Sequence, residues 1–324
     1  MVRWFRVAGL VFSLDLPECH PAANHLHNYD PFELTSRPGS PPPETSFGPH
    51  RCAVPPLTMP RVARFTEAAA EDAPIFELIV TDKKLKSPDE TLFRSAEESG
   101  EPVVGFYRSG EGYLAEFSPM PGKPVCGTLE ISGDFSKGHL YAEGRPVDQE
   151  FAINNSLMLL FAFASAARQA LEMHASVVMH GGRGFLFLGR SGTGKSTHSS
   201  LWLKYIEGTE LLNDDNPVVR IVDGTVRVFG TPWSGKTPCY KAQDVPVGAI
   251  VRLHQAPENT IERLGTVQAY ASVMASCSGY RPIRAIADAQ HETLAAIVAG
   301  VPCYHLECLP DADAARLCQQ TIDG

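Results

Sequence analysis

Residues 189–197 read GRSGTGKST, and the apolar run GFLFLG at 184–189 leads straight into them. Glycines at this density let several backbone N–H groups converge on one anion, and a helix opening at Lys195 would add the positive end of its dipole. The spacing Gly189, Gly194, Lys195, Ser196 fits G-x-x-x-x-G-K-[ST], the loop that cradles nucleotide phosphates between a strand and a helix. Gly189, Ser191, Gly192, Thr193, Gly194, Lys195, Ser196 and Thr197 are the candidate phosphate-binding residues. Lys195 would reach the β- and γ-phosphates, and the Ser196 hydroxyl would ligate Mg²⁺.

A triphosphate site also needs carboxylate for its metal. The stretch LLNDDNP at 211–217 supplies Asp214 and Asp215 after a short apolar run. Two adjacent carboxylates at a strand end allow a division of labour: one holds Mg²⁺, directly or through water, and the other takes a proton from an acceptor hydroxyl. The sequence leaves open which does which. Further cations are expected around a transferring phosphoryl group, and Lys236 in PWSGKT and Arg263 in NTIERL are the candidates. Trp233 either walls the phosphate pocket or fills a turn, and His198 is assigned to the surface of the helix after the loop.

These residues need a scaffold. FSLDL alternates apolar and polar residues as a half-buried strand does, and PIFELIV, PVVGFY, GYLAEF and TLEIS are further strand candidates. SRPGSPPPETSFGPHRCAVPP at 36–56 reads as an exposed Pro-rich insertion. Asn154, Asn155 or Ser156 could cap a helix running to about Glu172. After the loop, STHSSLWLKYI fits a helix, and PVVRIV-DG-TVRVFG is a hairpin by its Asp223-Gly224 turn. VGAIVRL and VPCYHLEC read as strands, ETLAAIVAG and DADAARLCQQTI as helices. The expected fold class is α/β: a mixed twisted sheet around the glycine loop in residues 151–324, preceded by a smaller β-rich region in residues 1–150.

Composition narrows the classes. In 324 residues, 44% are hydrophobic and 20% charged, ordinary for a globular chain. A formal net charge of −9 argues against a nucleic-acid or anionic-membrane binder, whose footprint would be basic. Eight cysteines without C-x-x-C spacing argue for reduced thiols in a cytoplasm rather than a zinc site or disulfide framework. VAGLVFSLDL lacks a signal-peptide cleavage site, and LMLLFAFASAA is too short to cross a bilayer.

The combination MHGGRGFLFLGRSGTGKST…LLNDDNPVVR…GTPWSGKT resembles the superfamily of HPr kinase/phosphorylase and ATP-dependent phosphoenolpyruvate carboxykinase. The resemblance covers about 174–275. It implies a histidine before the loop strand, falling on His180, that ligates a second metal or orients an aspartate base; a packed strand-end histidine is the alternative reading. It implies roles at Lys236 and Arg263, and it is the reason for choosing ATP, since no N-K-x-D base-reading motif is present. Mg²⁺ or Mn²⁺ is the implied metal.

Departures from the pattern limit the reaction. The carboxykinases are much longer and carry a lysine upstream of the histidine as metal ligand, whereas LMLLFAFASAARQALEMHASVVMH contains none. Decarboxylation is therefore set aside. HPr kinases typically read DSGIGKSE at the loop and carry a later phosphorolysis signature not found here. The resemblance is to HPr-kinase-like bacterial proteins, whose acceptors include protein serines, free serine and peptide termini. The expectation is transfer of the γ-phosphoryl group to a hydroxyl of a small molecule or peptide. The alternatives are a protein serine kinase/phosphorylase of the HPr type, or a nucleotide-binding regulatory protein with slow ATPase activity. A homo-oligomer is compatible with any of them.

Overall fold

The first fifteen residues form a hairpin of β1 (Val2–Val7) and β2 (Leu10–Asp15), with Phe5, Phe12 and Leu14 turned into a core. A computed structural model describes residues 1–38, 73–84, 88–95, 102–235, 237–278 and 283–323. Most of the Pro-rich stretch at 36–56 and all of Lys236 fall outside them.

Beside β2 lie β3 (Pro74–Thr81), β4 (Glu90–Arg94), β5 (Val103–Ser109), β6 (Gly112–Ser118), β7 (Gly127–Ile131) and β8 (Lys137–Ala142). They make an eight-stranded mixed sheet in the order β1-β2-β3-β8-β7-β6-β5-β4, with β3 parallel to both β2 and β8. Each strand predicted from apolar alternation in this region is present.

The helix expected from 154–156 to about 172 differs at both ends. Helix α1 spans Pro146–Ala164, opening before the expected division at 150/151 and packing on the first sheet. Its start is set by Pro146 in the first turn and by Asp148, whose Oδ2 accepts from the Arg145 N–H at 3.0 Å. Asn155 and Ser156 sit inside the helix instead of capping it. Their side chains donate to the carbonyls four residues back, Phe151 at 2.8 Å and Ala152 at 2.7 Å. A 3₁₀ turn at Ala166–Arg168 and a left-handed Gln169 (φ 54°) then redirect the chain into β9 (Ala170–Glu172).

The second sheet is built from β9, β10 (Ala175–His180), β11 (Arg183–Leu188), β12 (Glu210–Asn213), β13 (Val218–Val222), β14 (Thr225–Phe229), β15 (Asp244–Gln255), β16 (Thr260–Arg263) and β17 (Cys303–Cys308). Its path is β12-β10-β11-β15-β14-β13-β9, with β17 on β15 and β16 on β17. Strand β15 joins the parts: Asp244–Pro246 pair antiparallel with β14, and later residues pair parallel with β11 and β17. The β13–β14 hairpin turns at Asp223-Gly224 with φ 49° and 75°, the left-handed pair a two-residue turn requires.

Four helices cover this sheet. On one face α2 (Lys195–Tyr205) and α5 (Ala312–Ile322) bring Trp202, Ala315 and Cys318 against Phe185 and Phe187. On the other, α3 (Thr266–Met274) and α4 (Arg284–Gly300) bring Val273, Leu294 and Ile297 against Leu186 and Leu188. The continuous apolar run of β11 follows from this: a strand buried on both faces has no polar side to alternate with. Among the described residues no helix is long and apolar enough to cross a membrane, and no disulfide joins the described cysteines.

One core runs between the two sheets, with Phe12, Phe76 and Phe161 in the same cluster as Val218, Phe229 and Trp233. Trp233 fills this seam, its Nε1 donating to the buried Tyr29 hydroxyl at 2.9 Å. Tyr29→Phe leaves that N–H without its acceptor. The variant is expected to lose about 1–3 kcal/mol of stability, read as a lower urea midpoint at unchanged slope.

Candidate functional site

Strand β11 delivers the chain to Gly189, and α2 takes it away from Lys195. Between them Gly192 (φ 80°) and Gly194 (φ 100°) hold left-handed conformations that a side chain would strain, so the loop turns its backbone outward. Thr193 braces it, donating backbone N–H and hydroxyl to the Arg190 carbonyl at 3.1 and 2.8 Å. Ser191 and Thr197 are exposed and Ser196 is half-buried on the first turn of α2.

Lys195 is buried under the loop. Its Nζ donates to Gly189 O at 3.0 Å and lies 2.8 Å from His174 Nε2. On the other side of the same ring, His174 Nδ1 lies 2.9 Å from Asp215 Oδ1. An ammonium can only donate, so Nε2 is the acceptor, and the neutral imidazole carries its proton on Nδ1, towards Asp215. Lysine, histidine and aspartate therefore form one chain, with the tautomer fixed by its two ends.

The two aspartates differ. Asp214 is 4% exposed, and Ser176 Oγ donates to it at 2.9 Å. Ser176 Oγ is 2.6 Å from Ser199 Oγ, one turn beyond Ser196 on α2. The backbone N–H of Thr237 adds a 3.3 Å contact. The Asp215 side chain is 31% exposed and accepts from Asn216 Nδ2 at 3.0 Å. Asp214 is thus locked behind α2, while Asp215 is open to an incoming group. Their position follows from β12, which ends at Asn213 beside β10 and releases both carboxylates next to the loop.

His180 does not join this group. Strands β10 and β11 are antiparallel, pairing Ala175 with Leu188 and His180 with Arg183. The start of β10 therefore flanks the loop, and its end, five residues on and roughly 17 Å away, does not. His180 Nε2 instead lies 3.3 Å from Asp323 Oδ2, a carboxylate shared with Arg183. The two-residue turn at Gly181-Gly182 sets this register, which puts Ala175 opposite Leu188 and His174 beside the loop.

Arg263 is exposed on β16, separated from β11 by β17 and β15, roughly 14 Å at ordinary strand spacing. His198 is buried rather than on the helix surface. It accepts from Trp202 Nε1 at 3.1 Å, and burial pushes its pKa down to about 4.

Two groups at the site carried no sequence signal. Arg252 pairs in register with Leu188, next to the loop, with Nε and Nη2 each 3.0 Å from the hydroxyls of Ser272 and Ser276 on and just after α3. Burial, then the charge of Arg190, lowers its pKa. Glu172 is 2% exposed, and its Oε2 has no hydrogen-bond partner among the described residues. Burial pushes its carboxyl up to about 8, opposed by the Ser278 hydrogen bond and reinforced by the charge of Asp215.

A carboxyl with folded pKa near 8 and reference value 4.5 keeps its proton in the native state across that interval. The native state then binds more protons than the unfolded state, and stability falls as pH rises from about 4.5 towards 8. Glu172→Gln is neutral throughout. It should exceed the parent by ~3 kcal/mol at pH 7, the gap shrinking towards pH 5. Urea unfolding at several pH values measures this, and parallel pH dependence of the two proteins would contradict it.

Two cavities bear on the site, one against the loop and one beyond Asn216. One, of about 520 Å³, is lined by Thr193, Thr197, Leu201, Leu253, Pro257 and Leu309. The other, of about 380 Å³, lies at the seam between α1 and residues 232–234 and 240. Among the described residues no three His, Cys, Asp or Glu side chains form a metal cage. The oxygen donors of Ser196 and the aspartate pair nonetheless suit Mg²⁺ or Mn²⁺. Mg²⁺ commonly uses one or two carboxylates and completes its shell with phosphate oxygens and water.

No protein-family profile matches this sequence, and no curated protein matches it. A structure of the Hpr(Ser) kinase/phosphatase from Coxiella burnetii is similar, at 12% identity, over 47% of this chain and 99% of that chain, with a TM-score of 0.28. The relation is distant. Roles at individual residues rest on the contacts described above.

Proposed function

We propose that this chain is an ATP-dependent kinase that transfers the γ-phosphoryl group to a hydroxyl. The reading is supported above all by the Lys195–His174–Asp215 chain at the mouth of a glycine loop, with Asp214 held behind it. A phosphate grip and a candidate base share one histidine, as a transfer reaction requires and mere nucleotide binding does not.

In this reading the backbone N–H groups of 189–196 and the Lys195 ammonium bind the β- and γ-phosphates. The apolar cavity beside Thr197 and Leu253 receives the nucleoside. Ser196 and Asp214 would hold Mg²⁺, which when bound neutralises charge on the phosphates. Asp215, oriented by His174, takes the acceptor's proton. Arg252 adds positive charge next to the loop; Arg263 remains a candidate for charge stabilisation with no supporting contact among the described residues, and Lys236 remains one that lies outside them.

The test follows γ-labelled ATP with Mg²⁺, the purified protein and a small-molecule fraction of bacterial extract, with Lys195→Ala as control. A new labelled species that is absent with the variant is the expected result. Label appearing only in inorganic phosphate would count against it in favour of slow hydrolysis. Label entering a macromolecular fraction supplied in a parallel assay, and no small molecule, would favour a protein acceptor.

A further inference from the structure

We infer that the seam cavity of about 380 Å³ between α1 and residues 232–234 and 240 is the acceptor site, and that it takes a neutral or cationic polyhydroxylated molecule of sugar size. This rests on the kinase reading for the fate of the hydroxyl, but the binding itself does not.

The cavity abuts the chemistry. Asn216 lines it and donates to Asp215 Oδ2 at 3.0 Å, so its wall and the proposed base are one hydrogen bond apart. The phosphate loop and the apolar cavity lie beyond His174 and Lys195, on the other side of that base. An acceptor in the seam would meet the γ-phosphoryl group across Asp215. Its hydroxyl oxygen bonds to the γ-phosphorus as the proton passes to Asp215. The bond from the γ-phosphorus to the β–γ bridging oxygen breaks, and ADP leaves with that electron pair.

The lining sets the class of ligand. Four carboxamides, Asn28, Asn154, Asn155 and Asn216, stand with Glu150 and the Trp233 ring around the space. Carboxamides both donate and accept, matching hydroxyls that do the same, and an aromatic wall suits the C–H face of a ring. Asn28 Nδ2 is committed to Asn154 Oδ1 and Pro232 O, each at 3.0 Å. Its buried Oδ1 has no partner among the described residues, and a ligand hydroxyl would satisfy it. No lysine or arginine is among the described lining residues, whereas Glu150 contributes a carboxylate. Glu150 repels an anionic acceptor and can pair with an amine; His25 and His27 also line the space, with His25 Nδ1 3.7 Å from the same carboxylate. The volume lies within the ordinary range for small-molecule sites.

The arrangement also gives the N-terminal region a task. Asn28, from the turns after the first hairpin, and α1, seated on the first sheet, form two walls of the cavity.

Calorimetry with glucose, glucosamine and glucuronate as probes, on the full chain with and without Mg·ADP, tests the inference. Expected is binding of glucosamine and glucose at millimolar concentration, with glucuronate at least tenfold weaker. Glu150→Gln should weaken glucosamine about tenfold, the size of one lost charged contact, and leave glucose unchanged, a split that a structural defect would not produce. Glucuronate binding as well as glucose, or no binding of either glucose or glucosamine, would overturn the inference. So would an equal effect of Glu150→Gln on both sugars. Failure of the kinase reading registers separately, as absence of Mg·ATP binding or of label transfer while the sugars still bind.

Discussion

Asp215→Asn should lower the phosphoryl-transfer rate by about 10²–10⁴, the usual worth of a general base, with Mg·ATP affinity nearly unchanged. The substitution keeps size and shape, and the amide oxygen can still accept from His174 Nδ1–H, but its NH2 cannot accept from Asn216 Nδ2, so that bond is lost together with the basic lone pair. The affinity should hold because, in the proposed reading, the loop and Lys195 bind the phosphates and neither depends on the charge of Asp215. Asp214→Asn should behave differently. That side chain is buried and fed by Ser176 and Thr237, so its loss should raise the Mg²⁺ requirement as well as lower the rate. Single-turnover transfer and a Mg²⁺ titration on both variants separate the roles. If Asp215→Asn transferred at the parental rate and Asp214→Asn did not, the two assignments would have to be exchanged.

Lys195→Met should weaken ATP binding and slow transfer together. Methionine preserves the stem that fills the space under the loop but removes the ammonium that contacts Gly189 O and His174 Nε2. Charge stabilisation of a transferring group by one preorganised donor is worth about 10²–10³ in rate. A second effect reaches the base. Without the ammonium, Asp215 still accepts from Nδ1–H and keeps the tautomer, but Nε2 loses its donor and the neighbouring positive charge, and the pH–rate profile should change shape as well as height. A tenfold loss of ATP affinity with an unaltered profile would mean that His174 is not coupled to the lysine.

Strand and helix identities were largely legible in the sequence, because apolar patterning reports directly on burial. GFLFLG reads as the strand before the loop, and Asp223-Gly224 reads as a tight turn; both are present. The α1 boundaries were not, because Asn155 and Ser156 are cap formers by type but here bond back along the helix, a choice made by packing on the first sheet. His198 was misjudged for a related reason: a polar residue beside a loop reads as surface until Trp202 is seen to donate to it.

At the site, the sequence alone determined the parts whose function depends on local spacing. The glycine loop, Lys195, Ser196 and the aspartate pair belong to this group, since backbone geometry over a few residues dictates them. The tertiary structure alone decided which histidine faces the aspartates, which aspartate is open, and that Arg252 and Glu172 lie alongside. Each of these depends on strand direction and register between segments far apart in the chain. One reversal of direction between β10 and β11 brings His174 to the loop and carries His180 roughly 17 Å away. Hydrophobic pattern states that a strand exists; only its neighbours determine which end of it meets the chemistry.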